Sequence, residues 1–316
     1  MLPLEWDTAR AEAPGHVQSI RPLFLFINHF FIENYSVFKY NMSRKQCCIC
    51  FFGAIRTLPQ TIDNIKEVIQ QFRELYDVTI FLHTWKSEDF KLLQPDYYRT
   101  TDQQEQFKNL KTPEYTTLEK QKEKIAETMD EQHKKWDEEW LKKNKDKPKP
   151  NYFNTTNYAT YSRKQVTLLA LSKIPNPELV VYIRPDTFFK TIDIPSLLKR
   201  FNRNSKRIQI ITPDFDNFFW NSKTGTADLD KTGKRGVNDR FAICLGSSAA
   251  KVYGSQYDHI NDLIKEKMFV FNEMLIEWVF NHYNVVNIRS PMCLYLMRTN
   301  GKKIGLCKGD KRVWND

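Results

Sequence analysis

The stretch that most constrains this fold is residues 179–189 (LVVYIRPDTFF), which begins with an unbroken run of mostly β-branched and aromatic residues. Such a run is typical of a strand that is buried on both faces in a parallel sheet. It breaks at Pro185 and delivers a carboxylate, Asp186, where the strand should meet solvent. Ligands of open α/β sheets bind at the carboxyl ends of strands, so Asp186 is a candidate to hold a metal or a substrate hydroxyl. The alternative is a structural aspartate that caps a turn.

A β-α-β unit is predicted upstream of this run. Residues 46–52 form an apolar strand, and residues 53–57 (GAIRT) follow as a loop. The next segment begins with Pro59, which suits the first turn of a helix. Its apolar residues share one face at helical spacing, and they are Ile62, Ile65, Val68, Ile69 and Phe72. Residues 77–85 (DVTIFLHTW) are then predicted to be a second buried strand, which makes the unit a parallel one.

Shorter patterns downstream complete the predicted α/β fold. Helical spacing predicts helices at residues 157–172 and 272–283. Short apolar runs predict further strands, at residues 208–212, 241–245, 285–288 and 294–297. The last two of these strands are expected to finish the sheet.

One domain, residues 45–316, is predicted, with two additions. The apolar residues of 1–44 follow no clear helical or strand periodicity, so we interpret this segment as an N-terminal appendage. Residues 86–150 are rich in Lys, Glu, Gln and Asp, and several of their apolar residues recur at spacings of seven or four. This pattern predicts a charged helical insertion that packs on the body through its apolar stripe. The alternative is a lid or recognition arm beside an active site.

The chain of 316 residues carries a net charge of +10. Such a charge indicates an anionic partner, which could be nucleic acid, a membrane surface or a phosphorylated small molecule. No apolar segment reaches the roughly 18 residues of a membrane span. The nearest is residues 22–32, for which we favour an amphipathic flap or the edge of the core over a signal anchor. We therefore expect a cytoplasmic protein without a transmembrane span, with peripheral membrane association as the alternative.

The six cysteines do not show a metal-binding spacing. Cys47, Cys48 and Cys50 are close neighbours on one apolar strand, where they are poorly placed to bridge one another. Cys244 and Cys293 also lie in apolar runs. We interpret these cysteines as small buried hydrophobic residues in a reducing compartment.

Several nucleotide-binding and hydrolase motifs are missing. The sequence contains no G-x-x-x-x-G-K-[ST], no G-x-G-x-x-G after a strand and no G-x-S-x-G, which argues against P-loop, dinucleotide and serine-hydrolase sites. What remains is a set of polar or aromatic residues at the ends of predicted strands, namely Gly53, Arg56, His83, Trp85, Arg184, Asp186 and residues 238–240. We interpret His83 as a structural histidine and Trp85 as a core residue.

The order of the motifs resembles that of glycosyltransferases with the GT-A fold, especially those of bacterial polysaccharide clusters and large DNA viruses. The motifs are FGAIRT, DVTIFLHTW, VVYIRPDTFF, VNDRFAICLGS, FNEMLIEWVFNHYNV and YLMRTNG. The resemblance implies a single GT-A-like, Rossmann-like domain with a central mixed, mostly parallel sheet flanked by helices. It also implies transfer of a sugar from a nucleotide-sugar donor, a UDP or GDP sugar, to a hydroxyl of a glycan or glycoprotein.

The resemblance assigns the donor side of the site. Gly53 would let the backbone approach the nucleotide sugar, and Arg56 would contact the base or the diphosphate. The alternative for Arg56 is a salt bridge to the following helix. Arg184-Pro185-Asp186 stands where the family has an Asp-x-Asp that holds a divalent metal, Mn²⁺ or Mg²⁺. Arg298 would close over the phosphates.

Arg184 replaces the first carboxylate of the Asp-x-Asp, which leaves two interpretations open. Asp186 binds the metal almost alone, together with phosphates and water, or Arg184 itself neutralises the diphosphate and no metal is needed. Asp214 and Asp216 would restore a carboxylate pair, or they belong only to a loop turn.

Two carboxylates are candidates for the catalytic base. In the inverting case, glycosyl transfer needs a carboxylate that deprotonates the acceptor hydroxyl. Asp239 precedes a strand in a loop that resembles the acceptor side of the family. Glu273 lies where some inverting members carry their base, although a favourable charge at a helix N-terminus would also explain it. We favour Asp239.

Two other functions compete with glycosyl transfer. A nucleic-acid-binding protein would use the basic insertion as an electrostatic surface. Acidic residues are interspersed through that insertion, so no nucleic-acid partner is expected. A catalytically inactive GT-A-fold scaffold is the other alternative, because the first carboxylate of the metal motif is missing.

Overall fold

The computed structural model describes residues 44–86, 89–110, 152–214, 218–221, 226–229, 236–267 and 272–304. Its largest sheet consists of β1 (Gln46–Phe52), β2 (Asp77–Trp85), β3 (Tyr97–Thr101), β4 (Leu179–Ile183), β6 (Gln209–Pro213), β9 (Phe241–Leu245) and β10 (Val286–Ser290). A smaller sheet consists of β5 (Thr187–Thr191), β11 (Cys293–Met297) and β12 (Lys303–Ile304), and a two-stranded sheet of β7 (Phe218–Asn221) and β8 (Thr226–Leu229). The described α-helices are α1 (Leu58–Arg73), α2 (Gln103–Phe107), α3 (Tyr152–Lys173), α4 (Ile194–Leu198), α5 (Gly246–Gly254), α6 (Ile260–Lys267) and α7 (Asn272–His282).

The largest sheet has seven strands in the order β10-β6-β9-β4-β1-β2-β3. Strand β9 is antiparallel to its neighbours β4 and β6, and every other pairing in this sheet is parallel. The predicted mixed, mostly parallel sheet flanked by helices is therefore confirmed. Because β9 runs against β4, the residues that precede β9 lie beside the residues that follow β4, with Ile183 paired to Phe241.

The core explains why the central strands are apolar on both faces. All five residues of β4 are fully buried. Alternate residues of β1 face opposite sides, where Ile49 and Phe51 pack with α1, and Cys48 and Cys50 pack with α3, α5 and α7. The predicted helix after Pro59 is α1, and the prolyl residue lies in its first turn. The sheet is thus sandwiched between helices.

The smaller sheet differs from the sequence prediction. Residues 294–297 were expected to extend the main sheet, but β11 pairs antiparallel with β5 instead. Its residues alternate between buried and half-buried, because only one face of this small sheet packs against the core. Strand β5 begins directly after Asp186, so the smaller sheet borders the end of β4.

The prediction of a helical insertion is wrong for residues 97–101, which form strand β3. Its sequence, YYRTT, is aromatic and β-branched, and four of its five residues are exposed, as expected for an edge strand. Residues 1–43, 111–151 and Asp216 lie outside the described residues, so the appendage and the rest of the insertion stay predictions.

Two remaining predictions concern membrane spans and the state of the cysteines. Among the described residues, every helix is too short or too polar to cross a bilayer. Cys47, Cys48, Cys50 and Cys244 are buried free thiols, as predicted. Cys293 is half-buried and disulfide-bonded, so the expectation of a reduced, buried thiol is wrong for this residue.

Candidate active site

The candidate residues lie at the sheet edge where the parallel strands end. Arg184 and Asp186 follow β4, and Asp239 precedes the antiparallel β9. The backbone N–H of Arg184 donates to the carbonyl of Arg240 at 3.1 Å, which extends the β4–β9 pairing by one step. The antiparallel strand therefore brings together two motifs that are more than fifty residues apart in sequence.

Arg184 forms the centre of this site, because it binds two carboxylates at once. Its Nε and Nη2 donate to Oδ1 and Oδ2 of Asp186 at 3.1 and 2.9 Å, a bidentate pair. Its Nη1 donates to Oδ2 and Oδ1 of Asp239 at 3.1 and 3.4 Å. The side chain of Arg184 is 25% exposed, and those of Asp186 and Asp239 are 12% and 7% exposed. The cluster therefore opens to solvent mainly through the guanidinium.

The turn that carries Arg184 and Asp186 is held from three sides. Thr61 of α1 donates its hydroxyl to the carbonyl of Pro185 at 2.6 Å. The N–H of Met297 in β11 donates to the carbonyl of Asp186 at 2.7 Å. The N–H of Thr187 donates to the carbonyl of Arg184 at 3.0 Å. These bonds fix the backbone, so the two side chains are presented in a defined geometry.

Asp239 is held as a carboxylate. Its Oδ2 also accepts a hydrogen bond from the Asn272 amide at the start of α7. Burial alone would raise the pKa of Asp239, but the guanidiniums of Arg184, Arg163 and Arg240 outweigh it and hold the pKa below its usual value. Asp239 is thus a weak base with both oxygens engaged.

Glu273 has the opposite electrostatic environment. It follows Asn272 in the first turn of α7 and is half-buried. Burial and repulsion from Asp239 raise the pKa of Glu273 to about 8. Two neighbouring carboxylates therefore have pKa values that are displaced in opposite directions, which is a pattern found at acid–base sites.

Four arginines surround the carboxylates, and we call Arg56, Arg184, Arg240 and Arg298 the arginine cluster. Arg56 lies on the exposed loop after β1, and Arg298 follows β11 and is also exposed. Partial desolvation of its guanidinium and the charge of Arg184 lower the pKa of Arg298; Asp186 opposes this shift, and Arg56 and Arg240 add to it. The charges of the other three members of the arginine cluster therefore reach Arg298.

The backbone conformation at position 53 favours glycine, whereas the packing around it would allow a larger residue. The φ of Gly53 is +97°, in the region that residues with a Cβ avoid. Among the described residues, none has an atom within 4 Å of the position that a Cβ would occupy. Its N–H donates to Ser162 Oγ at 2.8 Å, and its carbonyl accepts from Thr84 Oγ1 at 2.8 Å. The structure leaves open space beside this glycine.

His83 and Trp85 have structural roles, in agreement with their interpretation from sequence. Ser162 Oγ donates its one proton to the His83 carbonyl, so it must accept from His83 Nδ1, which lies at 2.7 Å. The other ring nitrogen, Nε2, is then unprotonated and accepts from Thr101 Oγ1 at 2.9 Å. Burial, followed by the charge of Arg99, lowers the pKa of His83 to about 4, which keeps the ring neutral. Trp85 is buried and stacks on Tyr161.

Arg163 is a residue that the sequence analysis missed. Its side chain is fully buried in α3, with its guanidinium over the rings of Phe52 and Tyr253 at 4.6 and 4.8 Å. Nη1 donates to Gln256 Oε1, whereas Nε and Nη2 have no hydrogen-bond partner among the described residues. The signal was present, because Arg163 shares a helical face with the buried Val166.

The pair of Asp214 and Asp216 stays a prediction. Asp214 is exposed at the end of β6, and Asp216 lies outside the described residues. Within the described ranges, no three carboxylate, thiol or imidazole groups come together as a cation site.

Comparisons with known proteins give distant structural matches. No protein-family model and no curated protein matches the sequence. The crystal structure of a glycosyltransferase involved in glycosylation of the major capsid of PBCV-1 aligns with a TM-score of 0.37 and 11% identity, over 77% of this chain and 81% of that chain. Apo mouse xyloside xylosyltransferase 1 aligns with a TM-score of 0.40 and 13% identity, over 78% and 84% of the two chains.

A third structure, apo WbbM, a bifunctional glycosyltransferase, aligns with a TM-score of 0.40 and 11% identity, over 79% of this chain and 39% of that chain. All three are glycosyltransferases, the class of enzyme that the motifs of this sequence resemble. At these TM-scores no residue role is transferred from them to this chain.

Proposed function

We propose that this protein is a glycosyltransferase that moves a sugar from a nucleotide-sugar donor to a hydroxyl of a glycan or glycoprotein. The observation that carries the proposal is the Arg184–Asp186–Asp239 cluster at the carboxyl edge of the parallel strands. This is the edge where open α/β sheets bind ligands. The residues of the cluster come from the motifs that resemble those of glycosyltransferases. Arg184 would bind an anion, and the neighbouring carboxylates Asp239 and Glu273 would serve acid–base chemistry.

The donor diphosphate would bind to the arginine cluster. Guanidiniums match phosphate oxygens in geometry and charge, and they stabilise the negative charge that develops on a leaving diphosphate. The open space beside Gly53 would admit the nucleotide to the backbone of the loop after β1. The loop also carries Arg56, so one short segment would contact two parts of the donor.

Glu273 is our proposed general base, and Asp239 our proposed positioning residue. A base works best when its pKa lies near the working pH, and the pKa of Glu273 is raised to about 8. Asp239 is engaged by Arg184 and Asn272, so it is better suited to orient the guanidinium than to accept a proton. This assignment reverses the preference that the sequence suggested.

The chemical step that we propose is a single displacement. The acceptor oxygen forms a bond to the anomeric carbon while the bond from that carbon to the diphosphate oxygen breaks. The electron pair of the broken bond leaves with the diphosphate, towards Arg184. The acceptor proton passes to Glu273. Because the base must be ionised, we expect kcat/KM to rise with pH through about 8.

Release of nucleoside diphosphate from a panel of UDP and GDP sugars tests the proposal. We expect activity in the wild type and a loss of at least about 100-fold in Asp186→Ala, because Arg184 would lose its bidentate partner. Asp63→Ala, at an exposed position on α1, is the matched control and should retain activity. Full activity in folded Asp186→Ala would move the chemistry elsewhere in the chain.

A further inference from the structure

The glycosyltransferase resemblance implies a divalent cation at Asp186, and the groups around Asp186 do not fit one. Hard cations such as Mg²⁺ and Mn²⁺ need about six oxygen ligands in a defined geometry. Both oxygens of Asp186 already accept hydrogen bonds from Arg184, at 3.1 and 2.9 Å. A cation bound to this carboxylate would therefore compete with the guanidinium for the same lone pairs.

The other carboxylate bound to Arg184 is engaged in the same way. Asp239 accepts from Arg184 Nη1 through both oxygens and from Asn272 through Oδ2. A divalent ion bridging Asp186 and Asp239 would have to displace Arg184, whose charge both acids compensate. The displaced guanidinium would then face a doubly charged cation within a partly buried site, which is electrostatically unfavourable.

Arg184 retains a donor for a ligand. Asp186 uses Nε–H and one N–H of Nη2, and Asp239 uses Nη1. Within the described ranges the second N–H of Nη2 has no acceptor, so it can donate to a phosphate oxygen, and the side chain is 25% exposed. The two acids therefore hold the guanidinium in one orientation without consuming all of its donors.

The charges around the cluster also oppose a bound metal. The guanidiniums of Arg184, Arg163 and Arg240 all act on Asp239 and hold its pKa below the usual value. An added divalent cation would therefore meet several positive charges in a partly buried site.

We propose that Arg184, locked between Asp186 and Asp239, takes the place of the divalent cation, so that the protein binds the nucleoside diphosphate without metal. This inference rests on the proposed function and extends it to the chemistry of donor recognition. Asp186 and Asp239 act here as positioning residues for the guanidinium rather than as metal ligands.

Calorimetric titration with UDP and GDP, in EDTA and in Mn²⁺, tests the inference. We expect the Kd of the preferred nucleotide to change by less than about threefold between the two conditions, and to rise at least tenfold in Arg184→Ala. Binding by the wild type in Mn²⁺ alone would overturn the inference but leave the proposed function standing. Binding in neither condition would overturn the proposed function itself.

Arg184→Asp provides a second readout that does not depend on nucleotide. This substitution rebuilds an Asp-x-Asp sequence and removes the competing guanidinium. We expect it to gain Mn²⁺ binding, measured by the loss of the free Mn²⁺ signal in electron paramagnetic resonance, whereas the wild type binds none at the same concentration. Arg184→Asn is the matched control, with circular dichroism to verify folding. Mn²⁺ binding by the wild type that is lost in Asp186→Asn would contradict the inference.

Discussion

The raised pKa of Glu273 leads to a quantitative prediction for the variant Glu273→Gln. Burial and Asp239 raise the pKa of this carboxyl from 4.5 to about 8 in the folded chain. Below pH 4.5 the folded and unfolded states are both protonated, so the group costs nothing. As pH rises from 4.5 to 8, the unfolded state releases its proton before the folded state does, and stability falls. Above pH 8 the full cost is present.

The size of this stability loss follows from the difference between the folded and unfolded pKa values of Glu273. At about 1.4 kcal/mol for each pH unit between the two pKa values, the cost of ionised Glu273 is at most about 5 kcal/mol. Glu273 is only half-buried, so water screens part of this cost, and we expect about 2–4 kcal/mol. Glutamine has nearly the same shape and does not ionise, so Glu273→Gln should escape the loss.

Urea unfolding followed by tryptophan fluorescence measures the difference. We expect Glu273→Gln to be more stable than the wild type by about 2–4 kcal/mol near pH 9, and to differ little near pH 4.5. Glu67→Gln, at an exposed position on α1, is the control and should follow the wild type at both pH values. If the wild type and Glu273→Gln lose stability in parallel as pH rises, Glu273 is not buried against Asp239 and its role as base is refuted.

Three further changes test other parts of the structure. Burial and Arg99 lower the pKa of His83 to about 4, so His83 contributes up to about 3 kcal/mol of stability that is lost as pH drops from 6.5 to 4. Because Glu273 has the opposite trend over part of this range, the wild type is compared with His83→Gln in urea unfolding. The wild type should lose up to about 3 kcal/mol relative to the variant between pH 6.5 and 4, and a difference that stays constant would contradict the prediction. Gly53→Ala should cost about 1–2 kcal/mol because φ is +97°, and an unchanged melting temperature would disprove the strain. Arg163→Met removes the hydrogen bond to Gln256 and a charge that helps to hold Asp239 ionised, so urea unfolding should show a loss of about 1–3 kcal/mol. An unchanged stability would show that removal of the unpartnered Nε and Nη2 donors offsets these lost contacts.

Elements with continuous apolar runs were predictable from the sequence. Strands β1 and β4 lie at the centre of the sheet and are buried on both faces, so nearly every position is apolar. The break of the apolar run before Pro185 also placed Asp186 just beyond the carboxyl end of β4, where the structure has it. Strand β3 was missed because an edge strand buries little surface and its residues follow no apolar pattern.

The assembly of the site was not predictable from local patterns. The pairing of Arg184 with Asp239 depends on β9 running antiparallel to β4, and an isolated apolar strand carries no signal of its direction. The pairing partner of β11 is likewise a tertiary choice, since its alternating residues suit either sheet. The opposite pKa displacements of Asp239 and Glu273 follow from burial and from charges that only the fold brings together, so the sequence carried no signal of them.

Calorimetric titration of the wild type and Arg184→Lys with a panel of UDP and GDP sugars is the most direct measurement of nucleotide-sugar binding at the Arg184–Asp186–Asp239 cluster. We predict that the wild type binds sugars of one nucleotide class, and that Arg184→Lys, which keeps the charge but loses the bidentate pair with Asp186, binds the same donor at least about tenfold more weakly. Absence of binding by the wild type to every donor, or equal affinity in the two proteins, would contradict the claim that this cluster is a donor site.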